Sequence, residues 1–183
     1  KMKTKNLKNF NHLEVEKKIY KDWQEKKLFS SRINKKKKNF SIIMPPPNVT
    51  GNLHIGHALN MTIQDIICRF WRMNGKNVLW QPGTDHAGIA TQNVVEKNLL
   101  KNKKLDKNKV GKKNFVSMIW KWKEKSGDKI VNQIKRLGAS PDWDRLKFTL
   151  DKDVSEAINL VFIRLFNKGL IYKDRRLVNW DIK

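Results

Sequence analysis

The chain has 183 residues, of which 39% are apolar and 31% charged, and its formal net charge is +23. This length allows one sizeable domain rather than two, and the absence of any run of 18 apolar residues excludes a membrane span. A single cysteine, Cys68, excludes an internal disulfide and a cysteine-cluster zinc site; with a Lys- and Asn-rich start that lacks a signal peptide, it predicts a cytoplasmic protein or one of an organelle.

The positive charge lies in the flanks of the sequence. Residues 1–38 carry a net +10 and residues 97–129 a net +9, whereas residues 39–96 are neutral overall. Basic flanks attract a polyanion such as RNA through a salt-sensitive, sequence-independent force. Lysine outnumbers arginine 32 to 8, however, and Arg is the better phosphate ligand. An AT-rich genome that inflates Lys on solvated faces explains the charge equally well, so charge alone leaves the partner open.

The first predicted element is an amphipathic helix over residues 11–29. Ile19, Trp23 and Leu28 are its apolar positions, and charged residues lie between them. A basic linker follows, and we treat residues 1–38 as one N-terminal part.

Residues 39–103 alternate between strand and helix. The β-branched run FSIIM is typical of a buried strand, and three prolines end it because proline cannot donate to a ladder. The next helix has one apolar face, formed by Leu59, Ile63, Ile66, Ile67 and Phe70. The elements expected are, in order, a strand at 40–44, a helix that follows Gly51 and stops at Asn74-Gly75, a strand at 77–81, a turn at Pro82-Gly83 and a helix over about 89–100. This alternation predicts an α/β fold with a parallel sheet and crossover helices.

The rest of the chain is predicted to be mostly helical. The segments expected are, in order, an exposed lysine-rich excursion at 101–113, helices between 114 and 137 with a break near Ser126-Gly127, a turn at 138–141, a helix after Asp151 and strand-like stretches at 171–172 and 177–180. Asp151 is a candidate N-cap of the last helix, and Gly169 a candidate end. Because a parallel sheet would still need strands where the chain stops, we expect the chain to be a fragment.

The loop after the first strand carries the candidate chemistry. It lies at the carboxyl end of a predicted parallel strand, where open α/β sheets bind ligands, and it leads into a helix N-terminus that favours phosphate. His54 and His57 flank that helix start, so one turn can present both imidazoles to the same side, and Gly56 lets a flat ring lie against the backbone. Such imidazoles can donate hydrogen bonds to oxygens that gain charge in a transition state. The alternative is a pair of ordinary histidines, one capping the helix and one in solvent.

The segment His54-Ile55-Gly56-His57 matches the HIGH signature of class I aminoacyl-tRNA synthetases and related nucleotidyl transferases. Residues 45–57 and 83–92 resemble the valyl-tRNA synthetase family specifically. Further segments also resemble it: residues 119–123, 136–138, 142–143 and 176–181. The resemblance spans about residues 10–183.

This resemblance implies ATP-dependent activation of valine to valyl-adenylate, with release of pyrophosphate, followed by transfer to tRNA(Val) by a monomeric enzyme. Mg²⁺ is expected to be bound through the ATP phosphates and water, without a metal site on the protein. The roles it implies are as follows: His54 and His57 are catalytic and contact the ATP phosphates, Gly56 and Thr50 belong to the ATP site, Pro46 and Asn48 line the valine site, and Asp85 holds the α-ammonium group. Asp85 is also well placed by its position after the second strand to pair with a substrate cation, and a helix N-cap is its alternative role.

The resemblance also implies the arrangement of the chain. It predicts a Rossmann-like class I catalytic domain, of which residues 39–103 are the first βαβα half, with a helical insertion at 104–150. Residues 151–183 lead toward an editing domain, which the chain lacks together with the anticodon-binding domain. The second family signature, Lys-Met-Ser-Lys-Ser, is missing, since Lys1-Met2-Lys3-Thr4-Lys5 lies at the wrong end and matches poorly. We therefore expect weak or undetectable activity from the isolated chain.

Two other functions remain open. A non-catalytic RNA-binding module would use the basic residues 1–38 and 97–129, and a small HIGH-type nucleotidyl transferase would use the histidine loop without residues 83–92. We expect structural rather than catalytic roles for six further residues. His86 is expected to be a loop group, His12 to border the first helix and Cys68 to be inert core. Trp120, Trp122 and Trp143 are expected to pack in the protein rather than to stack on RNA bases.

Overall fold

The computed structural model describes residues 11–103 and 105–180, so the segment Lys1–Lys5 lies outside the described residues. The helices are α1 (His12–Glu25), α2 (Ile55–Met73), α3 (Ile89–Lys103), α4 (Lys107–Val110), α5 (Lys112–Arg136) and α6 (Lys152–Asn167). The strands are β1 (Asn39–Ile43), β2 (Asn77–Gln81), β3 (Gly83–Thr84) and β4 (Lys147–Phe148). Within these residues, no helix is long and apolar enough to cross a membrane.

Two parallel strand pairs define the topology. β1 pairs with β2 from Asn39 opposite Asn77 to Ile43 opposite Gln81, and α2 is the crossover between them. β3 pairs with β4, which follows α5 in the chain. The last ladder bond of β1 joins the Met44 N–H to the Gln81 carbonyl at 2.9 Å, immediately before the prolines. The predicted α/β fold with parallel strands is confirmed.

The main hydrophobic core joins the β1–β2 sheet to α2 and α5. Its buried members are Met44, Val49, Met61, Cys68, Val78, Trp80, Ile130, Ile134, Ala139 and Phe148. Trp80 on β2 is fully buried, and its indole N–H donates to the Gln64 side chain on α2 at 2.9 Å. Cys68 is also fully buried, and burial raises the pKa of its thiol to about 11. The core thus joins residues between 130 and 148 to residues between 44 and 80.

Polar contacts tie both flanking helices to the turn after α5. The Arg72 guanidinium on α2 donates to the Ser140 carbonyl at 2.8 Å, and Asp65 accepts the Ser140 N–H at 3.0 Å. On α1, the Tyr20 hydroxyl donates to the Ala139 carbonyl and accepts from the Trp143 indole, both at 2.7 Å. Burial raises the pKa of Tyr20 to about 12. The inward residue of α1 is thus Tyr20, whereas the predicted apolar position Ile19 is exposed.

The apolar face predicted for α2 does not meet the core. Its residues are between 38% and 62% exposed: Leu59, Ile63, Ile66, Ile67 and Phe70. The opposite side of the helix, with Met61 and Cys68, is buried instead. The reason is geometric, because the described sheet has only two strands and α2 covers it with one side.

Three other details differ from the sequence predictions. α5 runs without the break predicted at Ser126-Gly127, because one glycine weakens a helix without ending it and the adjacent Ser126 is buried. Residues 171–180 form no strand, since a strand needs a paired neighbour and none lies beside this described segment. Asp151 precedes α6 as expected, but its carboxylate accepts the Phe148 N–H rather than a helix N–H.

Candidate active site

The predicted site is a cleft between the loop that follows β1, here called the proline loop (residues 45–54), and the N-terminus of α2. It encloses about 340 Å³ and lies at the carboxyl end of β1. Its lining residues are Pro45, Pro46, Pro47, Asn48, His54, Gly56, His57, Asn60 and Met61. A parallel strand end and a helix N-terminus therefore face the same space, the arrangement in which α/β folds bind phosphate-bearing ligands.

The proline loop is held in place from two sides. Towards β3, the Val49 N–H donates to the Asp85 carbonyl at 2.9 Å and the Asp85 N–H donates to the Pro47 carbonyl at 2.8 Å. Towards α5, the Trp122 indole donates to the Val49 carbonyl at 2.8 Å, while Gln133 accepts the Leu53 N–H at 3.0 Å. α5 therefore holds the loop that borders the cleft.

The two histidines cap the helix reciprocally. His54 is the N-cap of α2, and its Nδ1 accepts the Gly56 N–H at 3.1 Å. The Nδ1 of His57 accepts the His54 N–H at 3.3 Å, and the ring centroids are 4.0 Å apart. Because each Nδ1 accepts a backbone proton, each neutral ring carries its own proton on Nε2.

This capping leaves both Nε2–H groups as donors. Among the described residues neither Nε2 has a hydrogen-bond partner, and both rings line the cleft. The two interpretations of the sequence, helix capping and transition-state stabilisation, therefore do not exclude each other, since one nitrogen of each ring serves each purpose. Such paired neutral donors at a helix N-terminus are suited to anionic oxygens.

Gly56 is required by the ring of His54. A Cβ at this position would lie 3.0 Å from Cε1 and 3.1 Å from Nδ1 of His54. The flat ring that lies against the Gly56 backbone is thus the neighbouring imidazole. Any side chain here would push that imidazole away from its capping position.

Acid is expected to weaken the histidine cap. Burial, and next the neighbouring His54, lower the pKa of His57 below its ordinary value of 6.5, and the positive end of the α2 dipole acts in the same direction. Below pH 6.5 the unfolded chain binds more protons at His57 than the folded chain does. The free energy of unfolding therefore falls as the pH drops from 6.5 through the pKa of His57 in the folded chain. Above pH 6.5 the contribution of His57 is constant.

This prediction can be checked by NMR titration of the His57 ring, with exchange of the His54 amide proton measured in parallel. We expect a midpoint below 6.5 and faster amide exchange once the ring is protonated, because an imidazolium has no Nδ1 lone pair to accept that proton. A midpoint at or above 6.5 would contradict the prediction.

The structure brings together five of the seven residues predicted for the site. Pro46, Asn48, His54, Gly56 and His57 line the one cleft. Thr50 is not among the residues that line it. Asp85 does not line it either, although its backbone pairs with that of Asn48.

The Asp85 side chain has its own surroundings. It is 32% exposed, and its Oδ1 accepts the Ala87 N–H at 3.2 Å and the Thr149 hydroxyl at 3.0 Å. The Ala87 contact resembles the capping role that the sequence left open for Asp85, but Ala87 lies before α3 begins at Ile89.

Sequence reasoning missed two kinds of site residue. Asn60 and Met61 also line the cleft, and the helical spacing of three and four residues from His57 could have indicated them. Thr149 lies beside Asp85 and His86. No sequence pattern indicates it, because its position depends on the pairing of β3 with β4.

The described residues contain no group of three His, Cys, Asp or Glu side chains that could hold a metal ion. The lining of the cleft contains no carboxylate.

The parallel α/β fold and the paired histidines at a helix N-terminus are the features expected of a class I tRNA synthetase, and comparison with known proteins agrees. Residues 18–183 match the family model described as tRNA synthetases class I (I, L, M and V), and the chain belongs to this family. A solved structure of an Agrobacterium radiobacter K84 LeuRS, in a ternary complex with tRNA and LeuAMS, has the same fold. Its TM-score is 0.72 at 24% identity, over 91% of this chain and 19% of that one.

Within the family, the chain is similar to valine–tRNA ligases. The Pelagibacter ubique protein is 55% identical over 93% of this chain, and the Geobacter sulfurreducens protein 54% over 91%. The Bradyrhizobium diazoefficiens protein is 51% identical over 96% of it. The resemblance to valyl-tRNA synthetases predicted from the sequence is confirmed. The chain spans about a fifth of the length of these curated relatives, 19% in each case.

Proposed function

We propose that this chain supplies the nucleotide- and amino-acid-binding part of a valine–tRNA ligase. In the proposed reaction the valine carboxylate attacks the α-phosphorus of ATP, valyl-adenylate forms and pyrophosphate leaves. The valyl group then passes to the 3′-terminal adenosine of tRNA(Val). The observation that carries the proposal is the His54–His57 pair, whose Nε2–H groups line a cleft at a helix N-terminus in a chain similar to valine–tRNA ligases.

The histidines are proposed to stabilise the transition state at the α-phosphorus. Negative charge increases on the phosphate oxygens as the carboxylate attacks, and two prepositioned N–H donors lower the energy of that state. The neutral tautomer is sufficient for this purpose, because hydrogen-bond donation and not proton transfer is required. Removing one such donor typically costs a factor of about 10²–10³ in rate.

Mg²⁺ is proposed to be bound with ATP rather than by the chain. No carboxylate lines the cleft, and Mg²⁺ in such sites is held largely by phosphates and water. The metal would neutralise phosphate charge when bound. The protein groups act on the oxygens that the metal leaves free.

Pro46, Asn48 and Asp85 are proposed to bind valine. The fixed φ angles of the prolines make the loop rigid, and its backbone pairing places Asp85 directly beside Asn48. A partly exposed carboxylate can pair with the α-ammonium group of the amino acid. Thr50 and Gly56 are proposed to belong to the ATP site.

The proposed division of the chain gives α5 a structural role in the site. We propose that residues 104–150 are an insertion into a Rossmann-like domain whose first half is residues 39–103. The contacts of Trp122 and Gln133 with the proline loop support this proposal. Because the chain spans only about a fifth of its relatives, the isolated chain is expected to activate valine weakly or undetectably.

Ligand binding to the chain tests the proposal without requiring turnover. Calorimetry would measure the affinity for ATP and for the valine counterpart of LeuAMS, which mimics an aminoacyl-adenylate. We expect both ligands to bind and the affinity for each to fall about tenfold or more in a His54→Ala, His57→Ala double variant, which corresponds to about 1.4 kcal/mol. His12→Ala, at the start of α1 and outside the cleft, is the matched control and should bind normally.

The RNA-binding alternative predicts a different result. It requires salt-sensitive tRNA binding that survives the double substitution, with no affinity for either nucleotide ligand. That outcome would overturn the proposed function.

A further inference from the structure

Thr149 connects the end of β4 to the candidate amino-acid site. The pairing of β3 with β4 continues into its backbone, since the Thr149 N–H donates to the Thr84 carbonyl at 3.1 Å. Its hydroxyl oxygen accepts the backbone N–H of His86 at 2.9 Å. The same oxygen lies 2.6 Å from Nδ1 of His86 and 3.0 Å from Oδ1 of Asp85. One hydroxyl thus contacts three polar groups.

The directions of these hydrogen bonds follow from counting protons. A hydroxyl has one proton to donate and two lone pairs to accept with, and a carboxylate only accepts. The Thr149 proton therefore goes to Asp85, and one lone pair takes the His86 backbone N–H. The remaining lone pair faces Nδ1 of His86, so this nitrogen must carry a proton.

A second contact, with the Asp85 oxygen that the Thr149 hydroxyl holds in place, favours the same tautomer. Nδ1 of His86 lies 3.2 Å from Oδ1 of Asp85. A lone pair on that nitrogen would face the lone pairs of both Asp85 and Thr149, whereas a proton there faces two acceptors. The neutral His86 ring is consequently held as the Nδ1–H tautomer, the reverse of the tautomer of His54 and His57.

The same contacts orient the Asp85 carboxylate. Oδ1 receives the Thr149 hydroxyl, the Ala87 N–H at 3.2 Å and the nearby Nδ1 of His86. Within the described part of the chain, Oδ2 has no such partner. Ala87 also has a left-handed backbone, with φ of 53°, a conformation that costs energy in a residue other than glycine. A saturated Oδ1 fixes the rotation of the carboxylate and leaves Oδ2 for a ligand.

We propose that Thr149 is a positioning residue of the amino-acid site. It holds Asp85 with Oδ2 directed to a substrate ammonium group and holds His86 as the Nδ1–H tautomer. The role for the ammonium group rests on the proposed function, whereas the tautomer of His86 does not. A residue of the segment after α5 thereby sets the geometry of a carboxylate that follows β3.

The tautomer is measured by long-range ¹H–¹⁵N NMR of the His86 ring. The unsubstituted chain should show the Nδ1–H form and Thr149→Ser should retain it. The nearly isosteric Thr149→Val should lose it, because valine offers no acceptor to Nδ1 and no longer holds Oδ1 of Asp85 beside the ring. Circular dichroism establishes whether each variant is folded. An Nε2–H tautomer in the unsubstituted chain would overturn the proposal without any variant, as would an unchanged tautomer in a folded Thr149→Val chain.

Ligand affinity measures the effect on Asp85. Thr149→Val removes a hydrogen bond to the charged Asp85, so it should weaken binding of the valyl-adenylate mimic about tenfold or more, with ATP affinity unchanged and with recovery in Thr149→Ser. Equal losses for ATP and the mimic would contradict a positioning role. If the unsubstituted chain did not bind the mimic at all, the proposed function would fail. The NMR measurement of the His86 tautomer would then decide by itself whether Thr149 is a positioning residue.

Discussion

Replacing Trp80 by alanine is expected to lower the free energy of unfolding by about 3–5 kcal/mol. Trp80 is fully buried on β2 in the core that joins the sheet to α2 and α5. Truncation removes the largest fully buried side chain and opens a cavity that the surrounding elements can fill only in part. It also deprives Gln64 of the indole donor at 2.9 Å. The loss is large compared with the 5–15 kcal/mol by which most domains are stable.

Urea denaturation followed by circular dichroism measures this loss. Trp180→Ala is the matched control, since Trp180 is 83% exposed and its truncation should change the free energy of unfolding by less than about 0.5 kcal/mol. A melting temperature lowered by about 2–4 °C per kcal/mol should accompany the loss in Trp80→Ala for a chain of this size. Equal effects of the two substitutions would show that β2 is not at the centre of the core.

The elements between residues 39 and 103 could be predicted because their causes are local. Prolines end β1, Asn74-Gly75 ends α2, and the run at 77–81 is a strand as expected. Periodicity showed that α2 is a helix but not which side packs, because the exposed face is the more apolar one. Which side is buried depends on the few strands and helices available to cover it, and this is a tertiary property.

Features that depend on distant contacts were not predictable. α5 continues through Gly127, although a glycine weakens a helix, because the helix is packed on both sides of it, at the buried Ser126 and Ile130. Likewise, the apolar residues at 177–180 have strand propensity, but propensity does not supply a partner strand. The two-residue strands β3 and β4 are too short to leave any pattern in the sequence.

In the candidate site, too, the local features could be predicted from the sequence and the contacts between distant residues could not. The motif placed His54, His57 and Gly56 at one helix start, since four consecutive residues fix that geometry by themselves. The tautomers could not be predicted, because they depend on which nitrogen faces a backbone N–H. The contact of Thr149 with Asp85 joins residues 64 positions apart, so no local rule could indicate it.

Two substitutions of His54 should separate its structural and catalytic roles. In His54→Asn the short amide can take over the capping contact of Nδ1 with the Gly56 N–H, and Asn is among the best N-cap residues. It cannot extend a donor to the position of Nε2. We therefore expect normal stability and a loss of about 10²–10³ in valine-dependent ATP–pyrophosphate exchange, the cost of one missing transition-state donor.

His54→Gln should show the opposite pattern. Its longer side chain places an amide N–H near the position of Nε2 but caps the helix poorly, so the free energy of unfolding should fall by about 1 kcal/mol while much of the exchange activity remains. Exchange is measured with labelled pyrophosphate, and stability by urea denaturation of the same preparations. If exchange by the unsubstituted chain is too slow to reveal a hundredfold loss, affinity for ATP replaces it as the readout, with a loss of about tenfold expected for His54→Asn only. Normal exchange in His54→Asn together with a loss in His54→Gln would mean that the ring acts through helix capping alone, and it would remove His54 from the proposed chemistry.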